Sequence, residues 1–72
     1  MTAVKWDTIS GYINTAFNAK KRIERADVLD LAEFDHASDD IIDALDAIGS
    51  RVFTSISDVR DFLIAQGYVT KQ

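Results

Sequence analysis

Seventy-two residues, 47% of them apolar and 28% charged, with a formal net charge of -4, describe a single small acidic domain over 1–72 rather than a disordered chain. No cysteine is present, so disulfides and thiolate metal sites are excluded, and packing must hold a fold of a size that often needs a staple. No apolar run approaches the roughly 20 residues of a membrane span, and the absence of a signal-peptide hydrophobic stretch predicts a cytoplasmic protein.

The apolar residues recur at helical spacing along nearly the whole chain. A first helix is predicted from about Trp6 to Ala19, with Trp6, Ile9, Ile13, Ala16 and Phe17 on one face and Tyr12 at its edge. Glycine costs about 1 kcal/mol against alanine in a helix interior, so Ser10-Gly11 predicts fraying before Tyr12. Lys20-Lys21-Arg22 then follow at the C-terminal end, where cations suit the helix dipole. A second, short helix is predicted from about Arg25 to Glu33, with Val28, Leu29, Leu31 and Ala32 as its apolar side.

The third helix has the clearest signature. Ser38 is placed as an N-cap, Asp39 and Asp40 fill the first turn, and Ile41, Ile42, Leu45 and Ile48 form the buried stripe before Gly49 stops it. Arg51-Val52-Phe53 reads as an extended link, with Val52 and Phe53 expected in the core. The fourth helix starts after Ser55, and Asp58 three residues later makes a variant of the capping box. Ile56, Val59, Phe62 and Leu63 face inward, Ile64 falls off the stripe and is expected to be exposed, Gly67 closes the helix, and Tyr68-Val69 folds back onto the core. The expected architecture is all-α: a compact four-helix domain built as two packed helical hairpins.

A faint internal echo runs through the chain. Arg22-Ile23 followed by Asp27-Val28-Leu29-Asp30-Leu31 parallels Arg51-Val52 followed by Asp58-Val59-Arg60-Asp61-Phe62, and Tyr12-Ile13 aligns with Ile41-Ile42. Rough two-fold repetition and chance in a small helical alphabet account for it equally well.

The stretch from Arg22 to Leu63 resembles a group of small all-helical bacterial domains of unknown function. The likeness rests on Ala26-Asp27-Val28-Leu29-Asp30-Leu31-Ala32, on the capped acidic helix Ser38-Asp39-Asp40-Ile41-Ile42-Asp43-Ala44-Leu45, and on Arg51-Val52-Phe53-Thr54-Ser55 leading into Ser57-Asp58-Val59. The proline that such domains often place before a helix is absent here. The resemblance implies a helical fold and no activity.

Charge is distributed unevenly. Residues 1–25 hold five bases and two acids, residues 26–50 hold eight acids and no Lys or Arg, and residues 51–72 hold three bases and two acids. Asp39, Asp43 and Asp46 point away from the stripe of the third helix, and Glu33 and Asp35 lie in the adjoining turn. Like charges four apart cost a few tenths of a kcal/mol. A capping role accounts for Asp39 and Asp40 but not for Asp43 and Asp46. One reading is a solvated, solubilising face. The other is docking to a basic surface of a protein partner through Glu33, Asp35, Asp39, Asp43 and Asp46.

Lys20, Lys21, Arg22 and Arg25 form the only candidate nucleic-acid contact, as an alternative regulator function. A pI near 4.6 and the neighbouring acids favour internal salt bridges instead. Catalysis is not expected. His36 is the only histidine, no phosphate loop or metalloprotease spacing occurs, and Ser38, His36 and Asp39 are too close in sequence to build a triad. Asp35, Asp39 and Asp43 could approach a divalent cation, but an exposed helix face does not wrap one as calcium requires. Neither cofactor nor metal is therefore expected. A homodimer through Ile64, Tyr68 or Tyr12 is a further possibility.

Overall fold

The computed structural model describes residues 3–71. Among the described residues it has four helices, three of them preceded by a short strand. Strand β1 (Val4–Lys5) leads into α1 (Trp6–Lys20), β2 (Ile23–Glu24) into α2 (Arg25–Phe34), and α3 (Asp39–Asp46) follows a short turn. Strand β3 (Val52–Phe53) precedes α4 (Ile56–Ala65), and β4 (Val69–Thr70) is the last element among the described residues. Helix α1 packs on α2, α3 and α4, and α2 also packs on α3. The chain is mostly helical and compact, with a Cα radius of gyration of 10.6 Å. That is close to the value of about 11 Å expected for a folded chain of this length.

The short strands depart from the all-α expectation. β1 pairs in parallel with β4, matching Val4 to Val69 and Lys5 to Thr70. β2 pairs antiparallel with β3, matching Ile23 to Phe53 and Glu24 to Val52. Each segment is two residues long, too short to display the alternation that identifies a strand. The extended link at Val52-Phe53 is therefore one half of a ladder.

The core is wholly aliphatic. Ile9, Ile13, Ile23, Val28, Leu45, Ile48, Val59 and Leu63 are fully buried, and among the described residues no polar residue joins them. The aromatic side chains of Trp6, Tyr12, Phe17, Phe53, Phe62 and Tyr68 pack around this centre half-buried. Phe53 and Phe62 meet at 5.4 Å between ring centroids, tilted by 44°, and the Arg51 guanidinium lies 4.7 Å from the centroid of Phe62.

Several local expectations are corrected. Val52 is 53% exposed rather than in the core, whereas its echo position Ile23 is fully buried. Ile64 packs against the core half-buried rather than standing in solvent. Helix α1 runs unbroken through Gly11. Ser38 and Ser55 do occupy N-cap positions with extended dihedrals, but neither side chain makes a capping hydrogen bond. The carbonyl oxygens of Ser38 and Ser55 accept the first intrahelical hydrogen bonds, from Ile42 and Val59 at 3.0 and 3.3 Å. Gly67 does close α4, with φ of 84°, whereas α3 already ends at Asp46, so Ile48 and Gly49 (φ 64°) lie in the turn beyond it.

Candidate docking surface

Helices α1 and α2 are antiparallel, because the contacts between them run in opposite order along the two segments. Near the C-terminal end of α1, Lys20 Nζ sits 2.8 Å from Asp27 Oδ1, in the first turn of α2. Nearer the N-terminal end, the Tyr12 hydroxyl donates to Asp35 Oδ2 at 2.7 Å, just beyond the end of α2. This hydrogen bond raises the Tyr12 phenol above its ordinary value, because ionising it would lose the donor. Partial burial and the neighbouring negative charge act in the same direction.

Between these two contacts the helices leave an open groove made of two merging depressions. One, of about 270 Å³, is lined by Ala19, Lys20, Asp27 and Asp30, and the other, of about 470 Å³, by Gly11, Tyr12, Phe34 and Asp35. Thr15 and Leu31 belong to the walls of both. A Cβ added at Gly11 would have nothing within 4 Å, so it would point into free space and no internal packing requires glycine there. Asp27 Oδ2, at the other end, is buried and has no hydrogen-bond partner.

Phe34 is the main feature that reading the sequence missed. It is 87% exposed, more than any other large apolar side chain among the described residues, with Val52 next at 53%, and it stands between Glu33 and Asp35 in the wall of the larger depression. At about 100° per residue it lies on the far side of α2 from Val28 and Ala32, so the helical spacing could have located it.

The expected partner-binding acids divide into two groups. Asp35 is engaged by Tyr12, and Asp46 Oδ1 lies 2.9 Å from Arg25 Nη1. Glu33, Asp39 and Asp43 are exposed and make no side-chain hydrogen bond or ion pair among the described residues. The four basic residues of the 20–25 cluster each have an internal contact. Lys20 pairs with Asp27, Arg22 Nε with Glu24 Oε2 at 2.6 Å, and Arg25 with Asp46. The Lys21 ammonium stands 5.9 Å from the ring centroid of Phe17. Hydrogen bonding to Glu24, with its negative charge, raises the Arg22 guanidinium further and keeps it charged.

Of the residues named for a homodimer, Tyr12 is tied to Asp35, and Tyr68 and Ile64 are half-buried against the core. Among the described residues no three His, Cys, Asp or Glu side chains are grouped to hold a metal ion, and no helix is long and apolar enough to cross a membrane. Comparison of the chain with protein-family models, curated proteins and solved structures gives no match.

Proposed function

We propose that the chain is a non-catalytic interaction module that docks a basic surface of another protein through Glu33, Asp35, Asp39, Asp43 and Asp46. The observation that carries this reading is an imbalance of pairing. The basic cluster is occupied by Asp27, Glu24, Asp46 and Phe17, while Glu33, Asp39 and Asp43 stay solvated without internal partners. A one-sign surface of this kind steers a partner of opposite charge and discriminates against one of like charge. The same pairing weighs against Lys20, Lys21, Arg22 and Arg25 as a phosphate-binding patch, since three of them would have to leave a carboxylate first.

The test is binding to immobilised lysine-rich and glutamate-rich peptides at several salt concentrations. The proposal expects binding to the basic peptides alone, weakening as salt rises. It also expects a loss of tenfold or more when Glu33→Lys, Asp39→Lys and Asp43→Lys are combined in a variant with unchanged circular dichroism. Unaltered binding by that variant overturns it.

A further inference from the structure

We infer that the groove between α1 and α2 is the seat of an amphipathic basic helix of the partner, with Phe34 as its anchor; this rests on the reading of the chain as a docking module for a basic protein. Shape is the first argument. Thr8, Gly11, Thr15 and Ala19 follow one another at spacings of three and four along α1, so they form one exposed strip. Small side chains on such a strip let another backbone approach closely, and helix axes pack at about 8–10 Å depending on the side chains between them. From Thr8 to Ala19 the strip is roughly 17 Å long at about 1.5 Å per residue, or about three helical turns. Opposite it, Leu31 and Phe34 of α2 provide the apolar wall. Such a trough between two antiparallel helices is the form that accepts a third helix by its apolar face.

Gly11 strengthens the case. Glycine inside a helix costs about 1 kcal/mol against alanine, and the space beside it is empty within the chain. Phe34 adds a large exposed aromatic to the groove lining, and aromatic side chains, Phe included, dominate interface energetics through the area they bury.

Charge selects the occupant. The groove is lined by Asp7, Asp27, Asp30 and Asp35 against a single cation, Lys20, which Asp27 already neutralises. A second copy of this chain would bring these carboxylates face to face, and like charges juxtaposed across an interface cost several kcal/mol. A helix flanked by Lys or Arg meets the same rim with opposite sign.

The experiment titrates the isotope-labelled full chain with a leucine–lysine peptide patterned at helical spacing, and separately with a scrambled peptide of identical composition. The expected result is saturable binding of the patterned peptide, at least tenfold tighter than the scrambled one. Amide shifts should be largest at Thr8, Gly11, Thr15, Leu31 and Phe34. Phe34→Ala and Gly11→Leu should each weaken binding about tenfold, and Gly11→Leu should do so while raising the melting temperature. Equal binding of both peptides, or shifts confined to α3 with both groove variants binding normally, overturns the inference. In the second case charge reversal at Glu33, Asp39 and Asp43 still abolishes binding and the docking reading survives. A free chain that sediments as a dimer, dissociated by Phe34→Ala, also overturns it, in favour of a second copy.

Discussion

Tyr12 and Asp35 are 23 positions apart, and nothing in their local sequence links them; the antiparallel course of α1 and α2 brings them together. Because the Tyr12 phenol is raised above its ordinary value of 10.0, the folded chain holds that proton more tightly than the unfolded chain does. The contribution to stability is therefore complete below pH 10 and is lost as pH rises through the higher folded value. Removing the acceptor in Asp35→Ala should bring the phenolate absorbance of Tyr12 in at lower pH and flatten the alkaline fall of the melting temperature. A titration curve that does not move would show that the bond is not formed in solution. Another residue-scale detail concerns helix ends. At the end of α4 the Tyr68 amide donates to Leu63 and the Gly67 amide to Ile64; at the end of α2 the Ala37 amide donates to Ala32 and the His36 amide to Glu33. The two ends share one Schellman pattern, but the left-handed position is glycine in α4 and His36, with φ of 57°, in α2. The glycine stop of α4 was readable in the sequence, whereas His36 carries no comparable signal. His36→Gly should raise stability in urea by about 0.5–1 kcal/mol, since it relieves the side-chain clash of the left-handed conformation at some cost in unfolded-state entropy. A destabilised variant would contradict that account.

At the scale of elements, the helices were legible because each has enough turns to display its apolar stripe, while the strands were not. A two-residue segment has no period, and its identity lies in its partner. The internal echo gains a physical counterpart at β2 and β3. Equating Ile23 with Val52 and Glu24 with Phe53 turns each of the two observed pairs, Ile23 with Phe53 and Glu24 with Val52, into the other. The ladder register is thus compatible with a local two-fold relation, although burial is not: Ile23 is fully buried and Val52 is 53% exposed. The difference makes a sharp comparison. Ile23→Ala should cost about 2–5 kcal/mol, because it leaves a cavity in an aliphatic core, while Val52→Ala should stay within about 0.5 kcal/mol, as surface changes usually do. Equal losses in chemical denaturation would mean that the two strands are buried alike.

Over the whole molecule, the same distinction between local and distant order explains what could be read of the candidate surface. The acids of the third helix and of the turn before it were visible as a charge pattern, but which of them are free depends on Arg25 reaching Asp46 and Tyr12 reaching Asp35. The groove required the α1–α2 packing that only the fold supplies. The longest-range feature is the parallel pairing of β1 with β4, which joins Val4 to Val69 across almost the entire chain. The Val4 amide donates to the Tyr68 carbonyl at 3.0 Å, and Val69 is only 3% exposed. Closing so long a loop costs entropy that grows with the logarithm of its length, so this contact is expected to form after the helices have docked on Ile9, Ile13, Val59 and Leu63. Val69→Ala should then destabilise by about 2 kcal/mol through lost apolar burial and a small cavity. Nearly all of that loss should appear as faster unfolding, with the refolding rate almost unchanged. Folding and unfolding rates measured against denaturant separate the two: a refolding arm slowed in proportion to the lost stability would place the β1–β4 pairing in the folding nucleus and reverse the expected order of assembly.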